Sequence, residues 1–207
     1  MLLVAGLVLA AGCATNSKPV DMTEPRRVVG TENDVRVDAE VFGESMSAST
    51  PVSIKYDITN HRANTILVAD IVPITSYDPE TQTVTVNVGS EVPGASLLPR
   101  LIPIHPNETK NFVAAAHLNL LVAPSQTPFT RAPRLLRLKV NFLGETKAFE
   151  KLIAIPEKAV NDPKLADELF PKWVDDNETV VTNALPMHWT GYEADPTPNP
   201  RRSRRRP

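Results

Sequence analysis

Apolar and polar residues alternate with period two through the middle of the chain. The clearest run is Val52-Ser53-Ile54-Lys55-Tyr56-Asp57-Ile58-Thr59, which puts Val52, Ile54, Tyr56 and Ile58 on one face and polar side chains on the other. That is the pattern of a half-buried strand. Val35, Val37, Ala39 and Val41 repeat it upstream. The turn Asn60-His61-Arg62-Ala63-Asn64 leads into residues 65–72, a nearly continuous apolar run that predicts a central strand buried on both faces. Asp78-Pro79-Glu80 is a turn, and Val84, Val86 and Val88 alternate after it. Pro99 and Pro103 interrupt the apolar stretch 97–104 and confine it to a sheet edge. Residues 110–121, rich in alanine, fit strand or helix; strand is favoured by the neighbouring strands. Leu136, Leu138, Val140 and Phe142 are expected to pair with residues 149–155 as a hairpin through Leu143-Gly144-Glu145-Thr146.

Seven to eight short strands over residues 34–155, with turns every eight to fifteen residues, predict an all-β fold, an antiparallel β-sandwich. Strand-to-loop passage at Tyr56-Asp57-Ile58-Thr59-Asn60 and the turn segment from Ile104-His105-Pro106 through Asn107-Glu108-Thr109 to Lys110-Asn111-Phe112 resemble immunoglobulin-like domains of bacterial envelope proteins. The single cysteine excludes the antibody-type Cys-Trp-Cys framework, an internal disulfide and a four-cysteine zinc site.

The pattern changes on either side of this region. Residues 2–12, LLVAGLVLAAG, carry no charge and are too short to span a bilayer, and Cys13 follows directly. The segment Leu9-Ala10-Ala11-Gly12-Cys13 resembles the lipobox of bacterial lipoproteins. The resemblance implies a signal peptide over 1–12, recognised through Leu9, Ala10, Ala11 and Gly12, and diacylglyceration (palmitate) at Cys13. The basic residue usual before the apolar run is missing. Ala14, in place of aspartate, points to the outer membrane, facing the periplasm. Residues 13–33 are polar and without period, and read as a flexible tether.

After Pro156 an extension, 156–192, is expected to hold one short helix. Asp162 is its cap, Pro163 its first residue, and Pro171 its stop. Trp173 and Trp189 stand out in this polar stretch, either as anchors packed on the sandwich or as a surface for a protein partner. Residues 193–207 read as a disordered tail whose arginines, Arg201, Arg202, Arg204, Arg205 and Arg206, suit anionic lipid, lipopolysaccharide or an acidic partner.

Charge sharpens the picture. The net −2 averages two unlike parts: without the five tail arginines, 17 Lys and Arg face 24 Asp and Glu, a balance of −7. An acidic exported body excludes a nucleic-acid binder. His61, His105, His117 and His188 show no metal or catalytic spacing, and no nucleophile elbow or glycine-rich phosphate loop is present. The reading expects no enzyme, cofactor or metal. The acids Asp175, Asp176 and Glu178 are the densest group, a solvated loop or a weak calcium site. The chain therefore reads as a lipid-anchored, non-catalytic binding or scaffolding module of the cell envelope. The alternative is a protease inhibitor or carbohydrate-binding module acting through loops, and a hydrolase ranks below both. Exposed aromatics lined along one sheet face would favour carbohydrate. A hydrophobic patch at the two tryptophans would favour a protein, and a pocket joining His105 or His117 to acids would favour catalysis.

Overall fold

Alternating burial organises the computed structural model, which describes residues 26–89, 97–118 and 132–190. In chain order the strands are β1 (Arg27–Glu32), β2 (Val35–Phe42), β3 (Ser45–Met46), β4 (Val52–Asn60), β5 (Ile66–Ala69), β6 (Ile74–Asp78) and β7 (Thr83–Val88). Then come β8 (Leu97–Pro99), β9 (Leu101–Ile104), β10 (Thr109–Ala116) and β11 (Leu135–Leu143). A 3-10 turn (Lys147–Phe149) and α1 (Glu150–Ile153) precede β12 (Ala159–Asn161) and α2 (Pro163–Asp176). Finally β13 (Asn177–Val181), β14 (Leu185–Pro186) and β15 (His188–Trp189) complete the described chain.

Two sheets face each other, as the expected all-β sandwich requires. The smaller runs β1-β2-β4-β10, and the larger runs β6-β7-β11-β5-β9, with β13 and β14 also paired to β11. Pairing in both is antiparallel except between β7 and β11, which run parallel. Two small ladders, β8 with β12 and β3 with β15, lie apart from them. Val35, Val37, Val41, Ile54 and Ile58 of the smaller sheet meet Val84, Val86, Leu138 and Val140 of the larger one, all at most 2% exposed. β9 takes the edge of its sheet, where Pro103 needs no backbone donor.

β5 is buried along its whole length, as its apolar run predicts, but it takes only Ile66–Ala69 of the expected 65–72: residues 70–72 leave the sheet, and Val72 is 74% exposed. Ile66 and Val68 point into the core between the sheets, while Leu67 and Ala69 point the other way into a second core. That second core is roofed by the 3-10 turn, α1 and α2 through Phe149, Leu152, Leu169 and Trp173.

Four expectations are corrected here. Residues 27–32 are not part of a flexible tether, because they form β1, which makes a hairpin with β2. Its two-residue turn is Asn33 and Asp34, both left-handed (φ 48° and 57°), a conformation that Asn and Asp tolerate. The hairpin expected between β11 and residues 149–155 does not form. Phe149, Leu152 and Ile153 stand at i, i+3 and i+4, so this stretch coils and roofs the second core. The side of β11 it would have filled is taken by β13, with Leu143 opposite Asn177 and Lys139 opposite Val181. The segment 156–192 is thus no appendage: β13 and β14 are sheet strands, and Val180, Leu185 and Met187 belong to the main core.

The fourth correction concerns α2. Asp162 caps it as expected, accepting the Leu165 N–H at 3.0 Å, with Pro163 at the first turn. Pro171 does not stop it; the helix continues to Asp176. An interior proline costs about 3 kcal/mol. Here the turns beyond it carry Trp173, 1% exposed, whose ring meets Phe149 edge-on at 5.5 Å, and burial of a side chain that size offsets the loss.

Candidate functional site

Strand register gathers four connections, 33–34, 61–65, 105–108 and 144–146, and the direct junction of α2 with β13 at one end of the sandwich. Asn60, fully buried at the end of β4, organises them. Its side-chain amide donates to the carbonyls of Asn64 (2.8 Å) and Ile104 (2.9 Å), and its oxygen accepts the Arg62 N–H at 3.0 Å. The loop so held aims Arg62 at Glu178, which it grips through two hydrogen bonds of 2.7 and 2.8 Å. The guanidinium also lies 5.5 Å over the Phe142 ring. Asn33 donates to the same carboxylate at 2.7 Å, so the β1–β2 turn is tied into the cluster.

The acids of this end are already engaged. Asp176 accepts the Glu145 N–H at 2.7 Å, and its carboxyl is held above the usual aspartate range, chiefly by burial and then by the negative charges of Glu145 and Glu178. Glu178 gives both oxygens to Arg62. Calcium needs six or more oxygens, and among the described residues no three His, Cys, Asp or Glu are arranged to hold a metal. Glu108 in the neighbouring turn accepts the His105 backbone N–H at 2.7 Å, which with Lys110 holds its carboxyl below the usual range.

The opposite end holds both limits of the described chain. Arg26 pairs with Glu44 at 2.7 Å, its carbonyl accepting the Val41 N–H. The His188 N–H donates to the Glu44 carbonyl (2.8 Å) and the Thr190 N–H to that of Met46 (2.9 Å). Beside them a cleft of about 480 Å³ is lined by Arg134, Leu135, Pro186, Met187, His188 and Trp189.

The sequence-predicted residues divide accordingly. Trp173 is buried in the second core and offers no surface. Trp189 is half-buried, packed against the main core while lining the cleft. The two tryptophans therefore do not share a patch. Cys13 with Leu9, Ala10, Ala11 and Gly12, and the arginines 201–206, lie outside the described residues. His61, His105, His117 and His188 are exposed. The His105 ring contacts Thr65 Oγ1 at 3.1 Å. The exposed aromatics among the described residues, Phe42 and Phe170, sit on β2 and α2 and form no row. Sequence reasoning missed the Arg62–Glu178 pair, whose members stand 116 residues apart with no local signal.

No helix among the described residues is long and apolar enough to cross a membrane. Compared with known proteins, the chain matches no family model, no curated protein and no solved structure.

Proposed function

We propose that this chain is a lipid-anchored cell-envelope lipoprotein whose immunoglobulin-like sandwich acts as a non-catalytic binding or scaffolding module, held at the outer membrane on the periplasmic side. The observation that carries the reading is Leu9-Ala10-Ala11-Gly12-Cys13 at the end of a short uncharged run. Acylation gives the one cysteine of an exported chain a use, and two or three acyl chains hold where one does not.

The exit of both described limits at one end supports an orientation. Twelve residues lie between Cys13 and Arg26, so the Cα–Cα reach is at most about 45 Å. The Arg26–Glu44–Thr190 end then lies toward the membrane, and the end organised by Asn60 and Arg62 points away from it. The tail arginines, Arg201, Arg202, Arg204, Arg205 and Arg206, follow Thr190 in the sequence, and a basic residue gains about 1 kcal/mol near anionic lipid or lipopolysaccharide phosphate.

Radiolabelled palmitate tests the anchor. The wild type takes up label and Cys13→Ala does not; equal labelling overturns the reading. Deleting residues 201–207 is expected to weaken binding to anionic vesicles, with a loss that fades at high salt. Unchanged binding removes the tail from the proposal.

A further inference from the structure

The sandwich is closed on one side and open on the other. On the closed side β1 lies against the strand region after β13: Val29 N–H donates to Asn183 Oδ1 at 2.7 Å, and Asn183 N–H returns a bond to the Val29 carbonyl at 3.1 Å. The approach is close enough that a Cβ on Gly30 would stand 2.5 Å from the Val181 carbonyl oxygen. On the open side the two sheets end in β10 and β9, and among the described residues no strand pairs with the outer edge of β10.

A cleft of about 210 Å³ runs along that open edge. Residues Phe112 to Ala115 of β10 and the segment from Asp70 to Pro73 line it. Tyr56, Val68 and Ile102 also line it, with Tyr56 stacked on Phe112 at 5.2 Å. Two of the lining residues, Val113 and Val72, are 77% and 74% exposed.

Free edges of natural sheets are usually guarded by outward charge, proline or a bulge. β10 carries no proline, and its one charged residue, Lys110, is turned back onto the Pro103 carbonyl (2.6 Å) and toward Glu108. Alternate N–H and C=O groups of an antiparallel strand point away from its partner, so β10 offers a row of them beside a cleft of mixed apolar and polar lining. The charges at the cleft are unequal. Asp70 is taken by Arg100, whereas the exposed Lys158 has no carboxylate within ion-pair distance among the described residues.

We propose that this cleft takes an extended segment of a partner polypeptide, which adds along β10 as a further strand and sets a carboxylate against Lys158. A second copy fits less well. Two β10 edges related by a two-fold axis pair antiparallel, which sends the Arg26 ends of the copies in opposite directions, away from a shared membrane. The proposal rests on the reading of a binding module and gives its partner a chemistry; only the preference for a partner over a second copy uses the membrane anchor.

The test uses the full-length chain, labelled with nitrogen-15. The probe is an acetylated hexapeptide of alternating threonine and valine with a free carboxylate, compared with its C-terminal amide. Titration is expected to shift the amide resonances of Phe112 to Ala115 and to slow their hydrogen exchange. The amide should bind up to about five-fold more weakly. Lys158→Ala should erase the difference between acid and amide while preserving the shifts on β10. Val113→Pro, checked for an otherwise native spectrum, should abolish binding; Lys158→Ala decides the matter if that variant does not fold. Shifts that miss β10, no binding at millimolar peptide, or equal binding of acid and amide overturn the proposal. So does self-association that moves the same resonances without peptide, since the occupant is then a second copy. Palmitate labelling of Cys13 stands or falls independently of all these outcomes.

Discussion

Arg62 holds Glu178 in a fork of two hydrogen bonds, 2.7 and 2.8 Å long, and both side chains are mostly withdrawn from water, at 20% and 27% exposure. The pair joins the β4–β5 loop to the start of β13, and Asn33 brings the β1–β2 turn to the same carboxylate. Arg62→Lys keeps the charge but loses the fork and the flat cation over Phe142. It is expected to lower the unfolding free energy by about 1–2 kcal/mol, and Arg62→Ala by about 2–3, since Glu178 is then left half-buried and unpaired. Urea denaturation measures both. A lysine variant as stable as wild type would show that the fork contributes nothing.

Asn60 is the sharper case. It makes two donations and one acceptance at a fully buried position, which only an amide side chain provides here. Asn60→Ala should cost about 2–4 kcal/mol, the cavity adding to three orphaned groups. Asn60→Asp should be at least as damaging at neutral pH, because a carboxylate cannot donate to the Asn64 and Ile104 carbonyls. Acidification should partly rescue the aspartate variant and leave the alanine variant unchanged, which pH-resolved melting would show.

Asp176 is expected to weaken the protein at neutral pH. Its folded-state carboxyl is raised above the ordinary 3.8, so its favourable contribution is fully present below that value and is lost as pH rises through the folded value. Asp176→Asn should therefore melt higher than wild type near pH 7, with the gap closing as pH falls toward 3.8. Glu108 works in the other sense. Its carboxyl is lowered from 4.5, so its contribution is present above that value and disappears as pH falls through the folded one. A melting temperature for Asp176→Asn that matches wild type at every pH would sink the assignment.

Pro171 offers a gain. Replacing it with alanine restores a backbone donor inside α2 and removes the ring's clash with the preceding turn. Pro171→Ala should raise stability by about 1–3 kcal/mol without disturbing Trp173, whose fluorescence reports the second core. A lower stability would mean that the packing of Trp173 against Phe149 requires the proline's geometry.

Much of this fold was legible because alternation was strong where it mattered. β2 and β4 show their buried faces in the bare sequence, β5 declares its double burial by an unbroken apolar run, and Pro103 assigns its strand to an edge. β1 escaped because only Val28 and Gly30 of its six residues are buried, too few to set a period, and glycine carries no hydrophobic signal. The stretch 149–155 fits both periods, and what decides between them is the second core, which sequence does not display. Pro171 misled for the same reason, since tertiary burial of Trp173 outweighs a local rule. At the Asn60 end, Asn60 looked like an ordinary turn residue, and nothing near Arg62 points to an acid 116 positions later. Cys13 and the tail arginines stand out by motif and composition and lie outside the described residues.

The double burial of β5 also governs how this molecule comes apart. Ile66 and Val68 belong to the core between the sheets, Leu67 and Ala69 to the core under the helices, and Phe142 and Leu143 divide the end of β11 in the same way. Neither core has a strand at this boundary that it could give up alone. Melting the helical roof exposes one face of β5, and the loss of β5 opens the sandwich from within. Two hydrophobic clusters joined in this way unfold as a single cooperative unit, with Trp173 fluorescence and β-sheet circular dichroism falling along one coincident curve.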